Sequence, residues 1–267
     1  MVNREKILEA AAMIHHSSRV VGFTGAGVSE ESGISTFRDP NGLWNRYSGG
    51  ASGGIMGILK RHPEAANELF SEILQTFKSC APNPGHYAFA DLEAMGYLKS
   101  VITQNGDNLH QDGGSLKVFE LHGNLFRFRC LDCAQKKHFP KDELFSFVEN
   151  ILLNMKQFTI AWVMPYLPSC KCGGKMRPDI VTFGESVHQL GKATEEACNC
   201  DVMLISGTSG MVYPAAALPV DAKKNGAKLI EINPNESTLT ARCDLFLPGK
   251  TGEILPEIVQ KIKAMRE

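Results

Sequence analysis

The stretch RVVGFTGAGVSEESG, residues 19–33, joins a short apolar run rich in β-branched residues to a turn built on Gly25 and Gly27. Upstream, EKILEAAAMIHH sets apolar residues at helical spacing among charges, so the local order is helix, strand, glycine turn. Gly25 and Gly27 flank Ala26, which lets backbone approach a pyrophosphate at the positive end of a following helix, with Ser29 offering a hydroxyl. The spacing departs from GxGxxG, because five residues separate Gly27 from Gly33, and a bare glycine turn accounts for it about as well.

Outward from that turn, strand and helix signals keep alternating. Helical patterns at residues 63–78 and 84–95 precede the strand LKSVIT and the polar turn QNGDNLH; KVFEL then delivers His122. Beyond residue 178 come IVTFGE, a helix through Cys198, the strand DVMLIS, the turn GTSG, a helix from Pro214 and the strand AKLIEI before NPNES. Strands separated by helices of this length imply right-handed crossovers and a parallel sheet covered on both faces, so the fold class is α/β. Residues 49–57 hold five glycines and are expected to be a mobile segment rather than an element interior.

Composition excludes several functions. With 43% hydrophobic residues, 267 residues bury a full core, read here as one large domain plus a small one. A formal net charge of -1 leaves no excess of cations for general nucleic-acid binding, and no apolar run approaches the roughly 20 residues that span a bilayer. The N-terminal segment reads as an amphipathic helix and not a signal peptide. Eight cysteines in two distant close pairs and isolated positions fit metal ligands in a reducing, cytoplasmic compartment better than a disulfide framework.

Chemistry gathers at the strand ends. QNGDNLH places Gln104, Asn105, Asp107 and His110 just after a strand, donors and acceptors enough to read a carboxamide and a ribose, or an ordinary polar turn. His122, followed by Gly123, ends a strand and can point into the same crevice as a general base, or be structural. Cys130 and Cys133, then Cys170 and Cys172, form CxxC and CxC pairs whose four thiolates suit tetrahedral structural zinc. Cys198 and Cys200 read as packed thiols. The connection carrying Phe37, Arg38, Asp39 and Trp44 reads as a lid over a flat charged cofactor, or as a structural loop.

Taken together, GAGVSEESGISTFR, TQNGDNLH, ELHG, CLDC with CKCGG, RPDIVTFGE, GTSGMVYPAA and EINPN resemble the sirtuin family in content and order, from residue 19 to about 252. The resemblance implies a doubly wound parallel-sheet NAD-binding domain, from residues 1–47, 79–128 and 178–267. It also implies a smaller zinc and helical module from residues 48–78 and 129–177. The implied activity is NAD-dependent removal of acyl groups from protein lysines, giving nicotinamide, deacylated lysine and O-acyl-ADP-ribose, with zinc structural. His122 would take a proton from a ribose hydroxyl, and Asn105 would hold the ribose or a water, the two catalytic residues. Gly25, Ala26, Gly27 and Ser29 would hold phosphates, Phe37 and Arg38 would close over the cofactor, and Gln104 and Asp107 would serve the nicotinamide end. Gly207, Thr208, Ser209, Asn233, Pro234 and Thr251 would complete the dinucleotide site. Val181, Phe183, Gly184 and Glu185, with Val212 and Tyr213, would pair with the substrate backbone as an added strand. Partners implied are acyl-lysine peptides, with no specific nucleic acid, no membrane, and a monomer or weak oligomer.

Three departures qualify the likeness. Gly106 stands where the family carries a bulky aliphatic residue, which removes a wall of the nicotinamide pocket. Phe70 and Ile73 stand where the succinyl-preferring branch carries tyrosine and arginine, so neutral acyl chains are expected. The glycine-rich residues 49–57 have no counterpart mechanism. Alternatives with the same cofactor are an NAD glycohydrolase or an ADP-ribosyltransferase; from another class, an NAD-sensing binding module.

Overall fold

The structure, a computed structural model, describes residues 4–35, 46–155 and 158–266. Helix α1 (Arg4–His15) buries Ile7, Ala10, Ala11 and Ile14, the single stripe that helical spacing permits. Strand β1 (Val20–Thr24) is buried throughout and runs into a 3-10 segment, Ala26–Ser32. Helices α2 (Gly50–Arg61), α3 (Ala66–Ser79) and α4 (Pro84–Ala94) lead to β2 (Leu98–Thr103) and β3 (Val118–Glu120). Strands β4 (Gly123–Cys130) and β5 (Lys136–His138), helix α5 (Lys141–Asn154) and strand β6 (Met176–Ile180) follow. The chain closes with α6 (Leu190–Cys198), β7 (Val202–Ser206), α7 (Ala217–Lys224), β8 (Lys228–Asn233), β9 (Leu245–Pro248) and α8 (Thr251–Met265).

Six parallel strands lie in the order β3-β2-β1-β7-β8-β9. Val20 packs on one face with α1, α4 and α8; Val21 and Phe23 pack on the other with Ala193, Ala197, Leu218 and Ala222 of α6 and α7. The strands are continuous apolar runs because both faces are covered. Chain order reverses between β1 and β7, which places the ligand crevice outside the carboxyl ends of those two strands, beyond Thr24 and Ser206.

A second, antiparallel sheet, β5-β4-β6, carries its own apolar cluster of Phe126, Phe128, Phe139, Leu144 and Met176. A fourth cluster joins Ile58, Leu59 and Leu69 of α2 and α3 to Met155 after α5, and Asn67 Nδ2 donates to the Leu152 and Met155 carbonyls at 3.0 and 3.3 Å.

Residues 49–57 correct the sequence reading: most of them are helical. The glycines serve close approach, since a Cβ on Gly57 would lie 2.3 Å from the Gly49 carbonyl oxygen. Gly54, at φ 59 and ψ -152, kinks α2 in a conformation open to glycine alone. Each helical glycine costs about 0.5–1 kcal/mol, whereas burying Ile58 and Leu59 returns about 1.5–3 kcal/mol apiece, so packing overrides propensity. Two boundaries also shift. The regular helix expected from Pro214 begins at Ala217, and β6 ends at Ile180 instead of continuing through residues 181–185.

Glu31 reaches from the 3-10 segment to the start of α8, where its Oε2 accepts the Gly252 N–H at 2.8 Å. It supplies a carboxylate to the positive end of a 15-residue helix. Replacement Glu31→Ala is expected to lower unfolding stability by about 1 kcal/mol in denaturant titration, with the slope of the transition unchanged.

Candidate active site

The turns after β1, β2 and β7 converge on one crevice, and backbone contact sets its floor. Gly27 N donates to the Gly207 carbonyl at 2.8 Å, and a Cβ on Gly27 would stand 2.9 Å from the Gly207 Cα. A Cβ on Gly207, at φ 60, would sit 2.1 Å from Val28 N. These positions accept only glycine, and they leave peptide backbone bare at the switch point, a cradle of the kind a pyrophosphate requires. Asn83, the N-cap of α4, clasps the 3-10 segment from below, donating to the Val28 carbonyl at 2.8 Å and the Ser32 hydroxyl at 2.9 Å. Sequence reading passed over Asn83; the Asn-Pro pair opening a helix was its visible signal.

The β2 turn locks onto that segment. Asn105 Nδ2 donates to the Gly25 carbonyl and the Ser29 hydroxyl, both at 3.1 Å, and Ser29 donates to Asp107 Oδ2 at 2.7 Å. Asp107 Oδ1 accepts the Leu109 N–H at 2.9 Å, and burial raises the carboxyl above its ordinary range. Gln104 Nε2 reaches Thr208 Oγ1 at 3.0 Å. Gly106 leaves no open gap, because Ile180 Cδ1 lies 3.0 Å from where its Cβ would be.

His122 stands between β3 and β4, its Nδ1 2.9 Å from the Gln104 carbonyl. A carbonyl only accepts, so Nδ1 carries the proton and Nε2 keeps the lone pair that a general base needs. Burial, the larger cause, holds the imidazolium pKa below its usual value; the Gln104 carbonyl opposes this and His188 adds to it. Gly123 follows at φ 85, where a Cβ would fall 1.7 Å from the Asp179 carbonyl oxygen. Across that junction the His122 carbonyl accepts Val181 N at 2.9 Å. Buried Asp179 anchors the same junction, accepting from Arg127 Nε at 2.7 Å and pairing with Lys136 Nζ at 2.9 Å.

On the β7 and β8 side, Asn233 is buried and donates to the Thr208 carbonyl at 3.0 Å and Glu231 Oε1 at 2.7 Å. Ser209 accepts from Thr238, and Pro234 is exposed. Thr251 sits deeper, buried with its hydroxyl 2.5 Å from that of Ser206, so its side chain serves the core. Phe183 and Tyr213 are 55% and 72% exposed and Val212 is partly exposed, apolar surface suited to an incoming chain. Gly184 turns at φ 92. The Glu185 carboxylate is committed to Arg129, Arg177 and the Thr182 N–H. Phe37 and Arg38 lie outside the described residues.

The four expected metal ligands come together. Their Sγ atoms lie within 4.8 Å of one another, with Cys130 to Cys172 at 3.5 Å and Cys133 to Cys170 at 3.6 Å. Zinc–sulfur bonds of about 2.3 Å in a tetrahedron require sulfurs roughly 3.8 Å apart, so the residues fit the ion. Cys200, by contrast, is buried, donates to the Ala197 carbonyl, and has its thiol pushed up to about 12 by burial, the packed thiol expected.

The Sir2 family profile matches residues 25–214. An NAD-dependent protein deacylase of Desulfosudis oleivorans is 47% identical over 97% of each chain. Among solved structures, a Sir2 homologue in complex with NAD is 37% identical with a TM-score of 0.76, covering 98% of this chain and 95% of that one. Sir2Af2 bound to a myristoylated histone peptide is also 37% identical, with a TM-score of 0.72 over 99% of each chain.

Proposed function

The chain belongs to the Sir2 family and is an NAD-dependent protein deacylase, and from that premise we propose that His122 is its general base and that it acts on neutral acyl-lysine peptides. NAD, when bound, supplies an electrophilic ribose carbon and an ADP-ribose acceptor for the acyl group. Everything else falls to this chain's own residues. The observation that carries the assignment is the Gln104 carbonyl on His122 Nδ1, which leaves Nε2 as the ring's proton acceptor.

Gly25, Ala26, Gly27 and Ser29 hold the phosphates against the Gly207 backbone, and Thr208, Ser209, Asn233 and Pro234 take the adenosine side. Asn105, Gln104 and Asp107 hold the ribose and nicotinamide, and Phe37 and Arg38 contribute to binding the cofactor. Thr251 supports this floor through Ser206. The peptide runs between residues 181–185 and 211–213, where Phe183, Met211 and Tyr213 offer apolar surface and backbone pairing tolerates varied side chains. Residues 48–78 and 129–177 form one small domain beside the NAD-binding domain, because each apolar cluster draws on both segments, Phe77 joining Leu144 in one and Met155 joining Ile58 and Leu69 in the other. No helix among the described residues is long and apolar enough to cross a membrane; none of the eight cysteines is in a disulfide and four of them gather as metal ligands, a usage that fits a reducing cytoplasm.

Acyl preference follows from Phe70 and Ile73, which pack into the apolar cluster of α2 and α3 with Phe70 5.5 Å from the Phe158 ring. Neither offers a cation to an acidic acyl group. Mass spectrometry of products from NAD and a series of acyl-lysine peptides tests this. Peptide-dependent nicotinamide release with O-acyl-ADP-ribose, faster on acetyl or longer neutral chains than on succinyl, is expected. Faster succinyl turnover overturns the acyl assignment; peptide-independent release with free ADP-ribose moves the activity to NAD hydrolysis.

A further inference from the structure

Beneath the crevice lies a line of buried polar groups that the mechanism above leaves unused. Thr24 and Thr103 are paired across the carboxyl ends of β1 and β2, buried, with the Thr24 hydroxyl donating to Thr103 Oγ1 at 2.9 Å. Thr103 Oγ1 also accepts the backbone N–H of Asn105 at 3.1 Å. Since Thr24 has given its proton to Thr103, its oxygen accepts from His110 Nε2, 3.0 Å away. His110 is 1% exposed, and its ring packs edge-on against Phe89 at 5.3 Å and His86 at 5.0 Å, both from α4.

The tautomers are consistent along the whole line. His86 Nδ1 accepts the Asn83 N–H at 3.2 Å, so its proton is on Nε2; His110 donates from Nε2, so its lone pair is on Nδ1. His86 Nε2 and His110 Nδ1 are both buried without a protein partner, a donor and an acceptor on adjacent rings. A pair so buried stays uncharged, and burial lowers both pKa values. Asn83 thus donates to His86, whose ring meets His110 edge-on; the hydrogen bonds proper run from His110 to Thr24 and from Thr24 to Thr103, whose oxygen also accepts the Asn105 N–H, while the Asn83 side chain clasps the 3-10 segment.

We propose that His110 is a positioning residue of the deacylase: through the Thr24 and Thr103 hydroxyls it fixes the Asn105 backbone, and so the setting of Asn105 and Asp107 toward the nicotinamide end of NAD. The proposal rests on the assignment of that turn to nicotinamide and ribose. It places the control of cofactor affinity partly under the sheet, two hydroxyls away from the ligand.

The test uses the intact protein with NAD, nicotinamide and an acetyl-lysine peptide, four single variants, and the double variant Thr24→Val with His110→Phe. Thr24→Val keeps shape and removes one hydroxyl, His110→Phe removes the ring nitrogens, and His110→Gln restores a donor near Nε2. Asp107→Ala reports on the turn itself. Losing one buried hydrogen bond in the line is expected to raise the nicotinamide inhibition constant and the KM for NAD about three- to tenfold in Thr24→Val and His110→Phe. The KM for peptide should stay unchanged, His110→Gln should recover most of the loss, and the double variant should be no worse than either single one, since both cut the same line. Lower melting temperatures with unchanged nicotinamide inhibition would overturn the proposal and leave His110 structural. Unchanged nicotinamide inhibition in Asp107→Ala removes the assignment of the turn and the proposal with it; a strong effect there with none in Thr24→Val removes the proposal alone.

Discussion

His122→Ala is expected to lower deacylation by about two to four orders of magnitude while leaving the fold intact, the range by which a positioned general base accelerates proton transfer. The side chain is half-buried at a loop between β3 and β4, and its one described hydrogen bond goes to the Gln104 carbonyl, so truncation opens little core. Binding of NAD should survive, because the phosphate cradle at Gly25, Gly27 and Gly207 is made of backbone. The pH profile makes the assignment specific. Burial lowers the His122 pKa below 6.5, so the neutral base persists as pH falls through 6.5, and kcat/KM drops only below that, as pH passes the lowered value. The same shift weakens folding on the acid side, since the unfolded chain protonates first. An acid limb in the wild-type kcat/KM, absent from the residual rate of His122→Ala, is the expected result. Full turnover in the variant would remove His122 as the base and leave the proton transfer to another group.

What the sequence showed of this site and what it hid divide along range. Gly25, Gly27, Asn105, Asp107 and His122 were legible because each stands at the end of an apolar run, where a parallel sheet puts its ligand loops. The glycine turn left open by its spacing is resolved only by Gly207, 180 positions after Gly27, whose backbone fills the place a side chain would need. Strand order was beyond reach for the same reason: β1 pairs with both β2 and β7, and nothing local marks either partner. Residues 49–57 misled because glycine propensity is a local signal, while the burial of Ile58 and Leu59 that overrides it depends on Met155, a hundred residues on. Thr24, Thr103 and His110 look unremarkable in sequence, each explained by its own strand or turn, and become one network only where β1 lies beside β2. Glu185 carries a second role that no local signal marks. Its backbone reads as part of a substrate strand, and its carboxylate is taken up by Arg129 and Arg177 from the neighbouring sheet.

Removing the metal is expected to have the largest effect on the small domain. The loops that carry Cys130, Cys133, Cys170 and Cys172 hold few other anchors: residues 131–138 and 171–173 are exposed, and the Cys130 and Cys170 backbones pair with Gln135 and Gly174 at 2.9 and 2.8 Å. Gly174 sits so close that a Cβ there would lie 2.9 Å from Cys130 Sγ, which fixes the loop around the sulfurs. Backbone N–H groups, that of Cys133 foremost, hold the Cys130 thiol down to about 7, which favours the thiolate a cation needs. Structural zinc binding in small modules supplies about 10–16 kcal/mol of apparent free energy, comparable to or above a domain's whole net stability of about 5–15 kcal/mol. The apolar cluster of Phe126, Phe128 and Met176 lies directly under the ligands, so loss of the ion should loosen β4 and β6 together. That loss travels to the active site by a short route, since Gly123 of β4 follows His122 and the Val181 N–H after β6 holds the His122 carbonyl. Elemental analysis should find one zinc per chain; chelation, or Cys170→Ser, should release it, lower the melting temperature by more than 10 °C, about the shift that a few kcal/mol produces in a chain of this size, and abolish turnover. Turnover and melting that survive complete removal of the metal would show that the four sulfurs hold the loops without it.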